Sequence, residues 1–238
     1  MGSTDASTSS PQFRHIVVTR GWYSSQVIAT RRALLLSVVC VGLYLVRVAY
    51  TGELRFLFLP YNLLLAWIPW GLSVWVSTAS RRPAWLALLF VWLLFFPNSF
   101  YLITDLAHLG GRSAAPAWFD PALFAAYALV GAVLAVGSLG RVERKLADLV
   151  GGWALALLLA GVVVATGFGV WLGRVRRWNS WDLVLTPGDL VSEIGHVVLQ
   201  PWHHPGAVAA TMVYSCLLGA TYLCFRREPD PAINRSSG

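Results

Sequence analysis

The chain of 238 residues is 57% hydrophobic and 12% charged, and its mean hydropathy is +0.62. Soluble domains contain about 45–50% apolar and about 25% charged residues, so this composition argues against a soluble enzyme, a nucleic-acid-binding domain and a secreted disulfide scaffold. It predicts a membrane protein that contacts lipids and not nucleic acid, and the net charge of +7 then reports orientation in the membrane.

Three parts are predicted along the chain. Residues 1–32 begin with a polar stretch that cannot bury enough apolar surface to fold, and we expect a disordered cytoplasmic tail. Residues 33–225 form a six-helix transmembrane domain, and residues 226–238 form a second cytoplasmic tail. Arg47 stands near the end of the first apolar run, where a cleaved signal peptide needs small residues. We therefore expect an uncleaved span whose Arg47 side chain reaches the membrane surface.

Six apolar segments are long enough to cross a membrane, since about 20 helical residues span about 30 Å of hydrocarbon. They are residues 33–50, 56–80, 83–104, 121–140, 149–173 and 205–225. Before the last segment, apolar residues recur at helical spacing over 187–200, with polar residues between them. The predicted fold class is an all-α membrane protein with six transmembrane helices and one outer amphipathic surface helix.

Arginine and lysine determine the predicted orientation, because cytoplasmic loops are enriched in them. With the N-terminus inside, twelve of the 18 basic residues lie on the inner side and six on the outer side. This count predicts that both termini are cytoplasmic. The outer segment after the fifth span nevertheless keeps Arg174, Arg176 and Arg177 on the side where cations are disfavoured, and this departure indicates a functional region.

The third segment carries a column of polar side chains. They are spaced 3, 4 and 3 residues apart and share one helix face: Asn98, Tyr101, Asp105 and His108. Asp105 and His108 are the candidate catalytic residues, acting as a base or a ligand. Pro97 removes one helix hydrogen bond, so we expect irregular backbone where the column begins. The alternative is that the column only hydrogen-bonds to neighbouring helices.

Two asparagines lie at similar depths below the outer end. At about 1.5 Å per residue, Asn62 of the second segment is about 9–10 Å below that end, and Asn98 lies six residues before Thr104. The two amides either pair across a helix interface or line the floor of a pocket open to the outside, and the sequence favours neither.

The motif RWNSWD at residues 177–182 follows the fifth span. In one interpretation its tryptophans and arginine form an interfacial belt at head-group depth. In the other, Arg177 binds a phosphate or carboxylate of a substrate, or pairs with Asp105 or Asp182. Asn179 belongs to the same predicted binding region.

Asp120 begins the fourth span, where a carboxylate stabilises the positive end of the helix dipole. The sequence assigns no cofactor, but five residues offer oxygen and nitrogen ligands to a divalent cation if the fold brings them together. They are Asp105, His108, Asp120, Asp182 and His196.

Three strings in this order resemble a known family. They are NLLLAWIP at residues 62–69, PNSFYLITD at 97–105 and RWNSWD at 177–182. The chain is similar through them to the bacterial integral membrane family of the domain of unknown function 1361, over about residues 56–225. The resemblance implies a multi-pass protein of the bacterial inner membrane and cell envelope, and it transfers no catalytic residue.

Three functional classes follow from the predicted outward polar site. We rank first a site that binds or processes a lipid-linked or anionic envelope substrate, and the sequence does not decide whether the protein is an enzyme. A small transporter gated by the proline-interrupted spans comes second, and a non-catalytic assembly subunit third. The predicted binding residues are Asn62, Asn98, Tyr101, Asp120, Arg177, Asn179 and Asp182.

Overall fold

The computed structural model describes residues 11–79, 81–110, 114–178 and 181–226, with side chains from Gln26 onward except that of Val184. The described residues form α-helices and two short 3₁₀ segments, and no strand occurs among them. The 3₁₀ segments are Asp105–His108 and Pro201–His203. The helices are α1 (Pro11–Thr51), α2 (Phe58–Thr78), α3 (Arg82–Phe95), α4 (Pro97–Thr104), α5 (Phe119–Ala147), α6 (Gly152–Arg174), α7 (Asp182–Leu185), α8 (Pro187–Leu199) and α9 (Pro205–Phe225).

Six helical segments of the described chain are long and apolar enough to cross a membrane. They are Gln26–Thr51, Phe58–Thr78, Arg82–His108, Phe119–Ala147, Gly152–Arg174 and Pro205–Phe225. The third of these combines α3, α4 and the 3₁₀ segment, with the interruption at Phe96 directly before Pro97, as the missing proline N–H predicts. The all-α fold class with six spans is confirmed.

Helix α1 begins earlier than the sequence pattern indicated. It starts at Pro11, so residues 11–32 are helical where a disordered tail was expected, while residues 1–10 lie outside the described chain. Extending an existing helix costs little compared with nucleating one. Gln26 and Ala29 also contact the rest of the protein, which gives this extension tertiary support.

The bundle has two ends, which we name by a residue at each. At the Asp105 end, α1 and α6 finish, α2, α5 and α9 begin, and α8 crosses between spans. At the Arg141 end, α2 and α5 finish and α3 and α6 begin. The residues 227–238 of the predicted C-terminal tail lie outside the described chain.

Helix α5 is the central element, since it contacts α1, α2, α4, α6 and α9. One buried cluster joins it to α1 and α2 around Tyr44, Phe124 and Tyr127. A second joins it to α3, α6 and α9, and it includes Trp92 and Leu218. The outward surfaces carry exposed apolar side chains throughout the spans, as expected for helices that contact lipid.

The predicted amphipathic helix is α8, which ends one residue before the predicted boundary of 200. Its buried residues are Leu190 and Val197, and Val197 packs with Trp171 of α6 and Ala207 of α9. Val198 on the same helix is 61% exposed. The helix therefore uses one part of its apolar surface to cover the Asp105 end and leaves another part accessible.

Candidate functional site

Asp105 joins three segments of the bundle through a carboxylate whose side chain has 0% exposure. Its Oδ1 lies 2.6 Å from Nη2 of Arg174, and its Oδ2 accepts a 2.8 Å hydrogen bond from Nδ2 of Asn62. The Arg174 side chain also donates to the Tyr101 carbonyl oxygen at 2.7 Å and to Thr104 Oγ1 at 3.2 Å. This network ties the start of α2 and the end of α6 to the end of α4.

The predicted pairing of Asp105 with Arg177 is wrong, because Arg174 occupies that place. Helix α6 approaches α4 so closely that a Cβ on Gly173 would overlap the Tyr101 hydroxyl. This approach brings the last residue of α6, Arg174, beside the carboxylate. Arg177 lies after the helix has ended, is exposed, and has a positive φ of 63°.

The polar side chains of the third span make different contacts. Asn98 is buried and donates from Nδ2 to the Phe95 carbonyl oxygen at 2.9 Å. Tyr101 donates to the Gly169 carbonyl oxygen at 3.5 Å, and its ring lies 4.6 Å from the Arg174 guanidinium carbon. His108 is exposed. The two asparagines therefore make different contacts and do not form the amide pair considered from their equal depth.

A second buried ion pair lies at the same end. Nε of Arg47 is 2.8 Å from Oδ1 of Asp120, and the Arg47 side chain has 0% exposure. The expectation that Arg47 reaches the membrane surface is therefore wrong, since a partner within the protein is available at the start of α5. Asp120 still lies in the first turn of α5, where the helix dipole favours it.

The turn between α1 and α2 is shaped around Phe56. Its φ is 70°, a conformation that is uncommon for a bulky residue. The ring lies below the guanidinium carbons of Arg47 and Arg55, at 4.6 and 5.0 Å, and it packs edge-on against Phe124 at 4.9 Å. These contacts hold the strained turn and position the first residues of α2.

A groove opens along the first two turns of α2, on the outer surface of the helix bundle. Its volume is about 460 Å³, and we call it the α2 groove. The side chains of Tyr61 and Leu64 are 49% and 69% exposed in it. Its lining residues are Leu57, Phe58, Pro60, Tyr61 and Leu64.

Polar groups stand beside the α2 groove. The ring of Phe58, one of its walls, lies 5.4 Å from the ring of His108. Nη2 of Arg55 donates a 2.8 Å hydrogen bond to the Gly110 carbonyl oxygen, which places this arginine next to the same short segment. One wall of the apolar groove thus contacts an imidazole, and the Arg55 guanidinium binds the same 105–110 segment that carries this imidazole.

The segment after α6 is linked to α8 by an ion pair. Nε of Arg176 lies 2.6 Å from Oε1 of Glu193. Asp182 begins α7 and is partly buried, and Asn179 lies outside the described residues. His196 is exposed, with Nδ1 3.5 Å from Ser192 Oγ.

The described residues contain no group of three or more His, Cys, Asp or Glu side chains that could hold a metal ion. Asp105 and Asp120, two of the five proposed ligands, are instead paired with arginines. A metal centre built from Asp105, His108, Asp120, Asp182 and His196 is thus not assembled in this part of the chain.

Sequence reasoning missed three arginines that the fold uses. Arg47, Arg174 and Arg141 all make side-chain contacts within the protein, and Arg47 and Arg141 are 1% and 2% exposed. The available indication was their position in or beside apolar runs. A charged residue at such depth is costly unless it is paired.

Six membrane-length helices with paired charges buried between them define a multi-pass helical membrane protein. The chain belongs to the family described as protein of unknown function (DUF1361), whose family profile matches residues 61–220. This match confirms the resemblance indicated by the three sequence strings. No curated protein and no solved structure matches the chain.

Proposed function

We propose that the Asp105 end binds an anionic lipid or lipid-linked molecule, with its chain in the α2 groove and its head group beside His108 and Arg55. The observation that carries this proposal is that one wall of the groove contacts the imidazole: Phe58 lines the groove, and its ring lies 5.4 Å from the His108 ring. An apolar chain and an anionic head need these two environments side by side.

The groove is suited to a lipid chain because it is part of a transmembrane span and consists of apolar and aromatic side chains. Tyr61 has an apolar ring and a polar hydroxyl, a combination that is favoured at the boundary between chain and head group. The Arg55 guanidinium can donate paired hydrogen bonds to a phosphate or carboxylate.

Asp105 and His108 have different roles in this proposal. Both carboxylate oxygens of Asp105 face cationic or amide donors, so this residue positions the end of the third span. His108 is exposed beside Phe58, a wall of the groove, and its ring nitrogens can hydrogen-bond to a bound head group. The same geometry serves a binding protein or an enzyme.

The proposed location is the outer leaflet of a bacterial inner membrane. The excess of arginine and lysine in the loops of the Arg141 end supports a cytoplasmic position for that end and for both termini. The α2 groove then opens outward. A substrate delivered to the cell envelope would meet it there.

Native mass spectrometry from nanodiscs that contain phosphatidylglycerol and phosphatidylcholine tests the proposal. Leu64→Trp fills the groove, and we expect this variant to lose one bound lipid per chain. Leu157→Trp is the matched control, because Leu157 is 64% exposed on α6, away from the groove. His108→Ala should retain a lipid but lose preference for the anionic one.

Equal lipid retention by Leu64→Trp and Leu157→Trp would reject the groove as a binding site. An unchanged preference for phosphatidylglycerol in both His108→Ala and Arg55→Gln would reject the assigned head-group position. All variants must first show the same monodisperse elution as the unmodified protein, so that loss of lipid is not loss of fold.

A further inference from the structure

A buried arginine at the opposite end of the bundle has no carboxylate partner among the described residues. Arg141 of α5 is 2% exposed, and none of the ion pairs in the described chain includes it. The acidic residue two positions on, Glu143, contacts Tyr222 and Arg226 of the neighbouring helix and its end. A buried charge without a counter-charge is costly.

Neutral groups orient this guanidinium. Nε of Arg141 donates to Gln26 Oε1 at 2.6 Å, and Nη1 donates to Ser73 Oγ and to the Gly137 carbonyl oxygen, both at 3.3 Å. The guanidinium carbon of Arg141 lies 3.8 Å from the centroid of the Trp70 ring. Stacking and hydrogen bonds therefore fix the position of the cation, and no carboxylate of the described residues compensates its charge.

The local packing allows this stacking. A Cβ on Gly137 would overlap the Trp70 ring, so the absent side chain lets the indole lie against α5 one turn before Arg141. Trp70 is itself 3% exposed. The cation is thus held on a rigid surface.

Arg141 lines a cavity of about 330 Å³ between α1, α2 and α5. A second cation, Arg31, lines the same cavity. The hydroxyls of Thr30, Ser77 and Thr78 donate to carbonyl oxygens of their own helices, so the two arginines are the donors of the cavity. The apolar part of the wall is formed by Val27 and Val74. The polar lining residues are Gln26, Thr30, Arg31, Ser77, Thr78 and Arg141.

We propose that this cavity binds a phosphate group, which supplies the counter-charge to Arg141. Two arginine guanidiniums supply the charge and the N–H donors that phosphate oxygens accept. The apolar wall and the position at the end of three spans favour the phosphate of a phospholipid in the leaflet at the Arg141 end. This site is separate from the α2 groove and does not depend on it.

The test uses the full-length protein in detergent, with Leu64→Trp as the background so that the α2 groove does not contribute. Phosphatidylglycerol, diacylglycerol with the same chains, and inorganic phosphate are titrated separately. Native mass spectrometry counts bound lipid, and the thermal unfolding midpoint reports phosphate. We expect phosphatidylglycerol to bind and diacylglycerol not to bind.

Two variants test the site, one by removing the cation and one by filling the cavity. Arg141→Gln should weaken phosphatidylglycerol binding by about ten- to a hundredfold, the scale of one charge-assisted hydrogen bond. Val74→Trp fills the cavity and leaves the arginine in place, so it decides the question if Arg141→Gln does not fold. The controls are Arg82→Gln and Leu86→Trp, both at exposed positions of α3 at the same end.

Each outcome decides for or against the site. Binding of phosphatidylglycerol alone, lost in both variants and kept in both controls, supports a lipid phosphate. Stabilisation by inorganic phosphate that also requires Arg141 supports the site with a soluble source. Equal binding of diacylglycerol and phosphatidylglycerol, or undiminished binding in Arg141→Gln and Val74→Trp, would overturn the proposal.

Discussion

Asp105 and Asp120 are acidic residues whose charge lies inside the bundle, and each has an arginine from another helix as its partner. The pairs connect α4 with α6 and α1 with α5 at the same end of the protein. Removal of one member of a buried pair leaves an unpaired charge and costs about 3–5 kcal/mol. These pairs are therefore expected to hold the Asp105 end rigid around the groove.

A double-mutant cycle on Asp105→Asn and Arg174→Gln tests this coupling. Each single change should lower the free energy of unfolding by about 3–5 kcal/mol. The double change should cost clearly less than the sum, because the second substitution removes a partner already lost. The measurement is reversible unfolding in detergent micelles.

Arg177→Gln is the control for that cycle. Because this side chain is exposed, we expect a change within about 0.5 kcal/mol. A cycle in which Asp105→Asn couples to Arg177→Gln and is additive with Arg174→Gln would contradict the described network.

The sequence identified Asp105 as a member of this network but did not identify its ion-pair partner, Arg174. Asp105 stood out because it completes a regular polar column on one helix face. Arg174 and Arg177 follow the same span and differ by three positions, and their roles depend on where α6 ends and how closely it approaches α4. Local sequence spacing carries no information on such tertiary geometry. For the same reason the sequence predicted how deep Asn62 lies in its span, but not that it hydrogen-bonds to Asp105.

Helix α6 packs two of its glycines against different neighbours. A Cβ on Gly167 would lie 2.7 Å from the Thr211 carbonyl oxygen of α9, and one on Gly169 would lie 2.7 Å from Pro97 Cγ of α4. Gly161 has nothing within 4 Å of that position. The glycines of this helix therefore include close-contact positions and a position with open space beside it.

Alanine substitutions separate these positions. Gly167→Ala and Gly169→Ala should each lower the unfolding free energy by about 1–3 kcal/mol, because the added methyl overfills a close helix contact. Gly161→Ala should be neutral or stabilising by up to about 1 kcal/mol, since alanine favours the helix and meets no neighbour. An equal loss of unfolding free energy in all three variants would contradict the packing explanation and would show that these glycines act through helix flexibility.

The hydropathy and length of the apolar segments predicted the six spans, and helical spacing predicted the surface helix. They predict well because every transmembrane helix must satisfy its own backbone in lipid. The start of α1 at Pro11 was missed, because a polar segment gives no periodic signal of its contacts. The two buried charge networks were missed for a related reason, since each joins residues from distant parts of the chain.

Orientation is tested by cysteine labelling in intact cells, with Cys40, Cys216 and Cys224 replaced. Gln200→Cys reports the Asp105 end and Asp148→Cys the Arg141 end, and both positions are exposed. We expect an impermeant maleimide to label Gln200→Cys directly and Asp148→Cys only after permeabilisation. The reverse pattern would place the α2 groove on the cytoplasmic side.

Photocrosslinking in native membranes detects an anionic lipid or lipid-linked molecule in the α2 groove. An aliphatic diazirine amino acid of about the size of leucine, which leaves the groove open, replaces Leu64 in the groove or Leu157 on α6, and mass spectrometry identifies the adducts. We expect an anionic lipid species attached at position 64 and bulk lipid at position 157. The same adducts in the same proportions at both positions would contradict it.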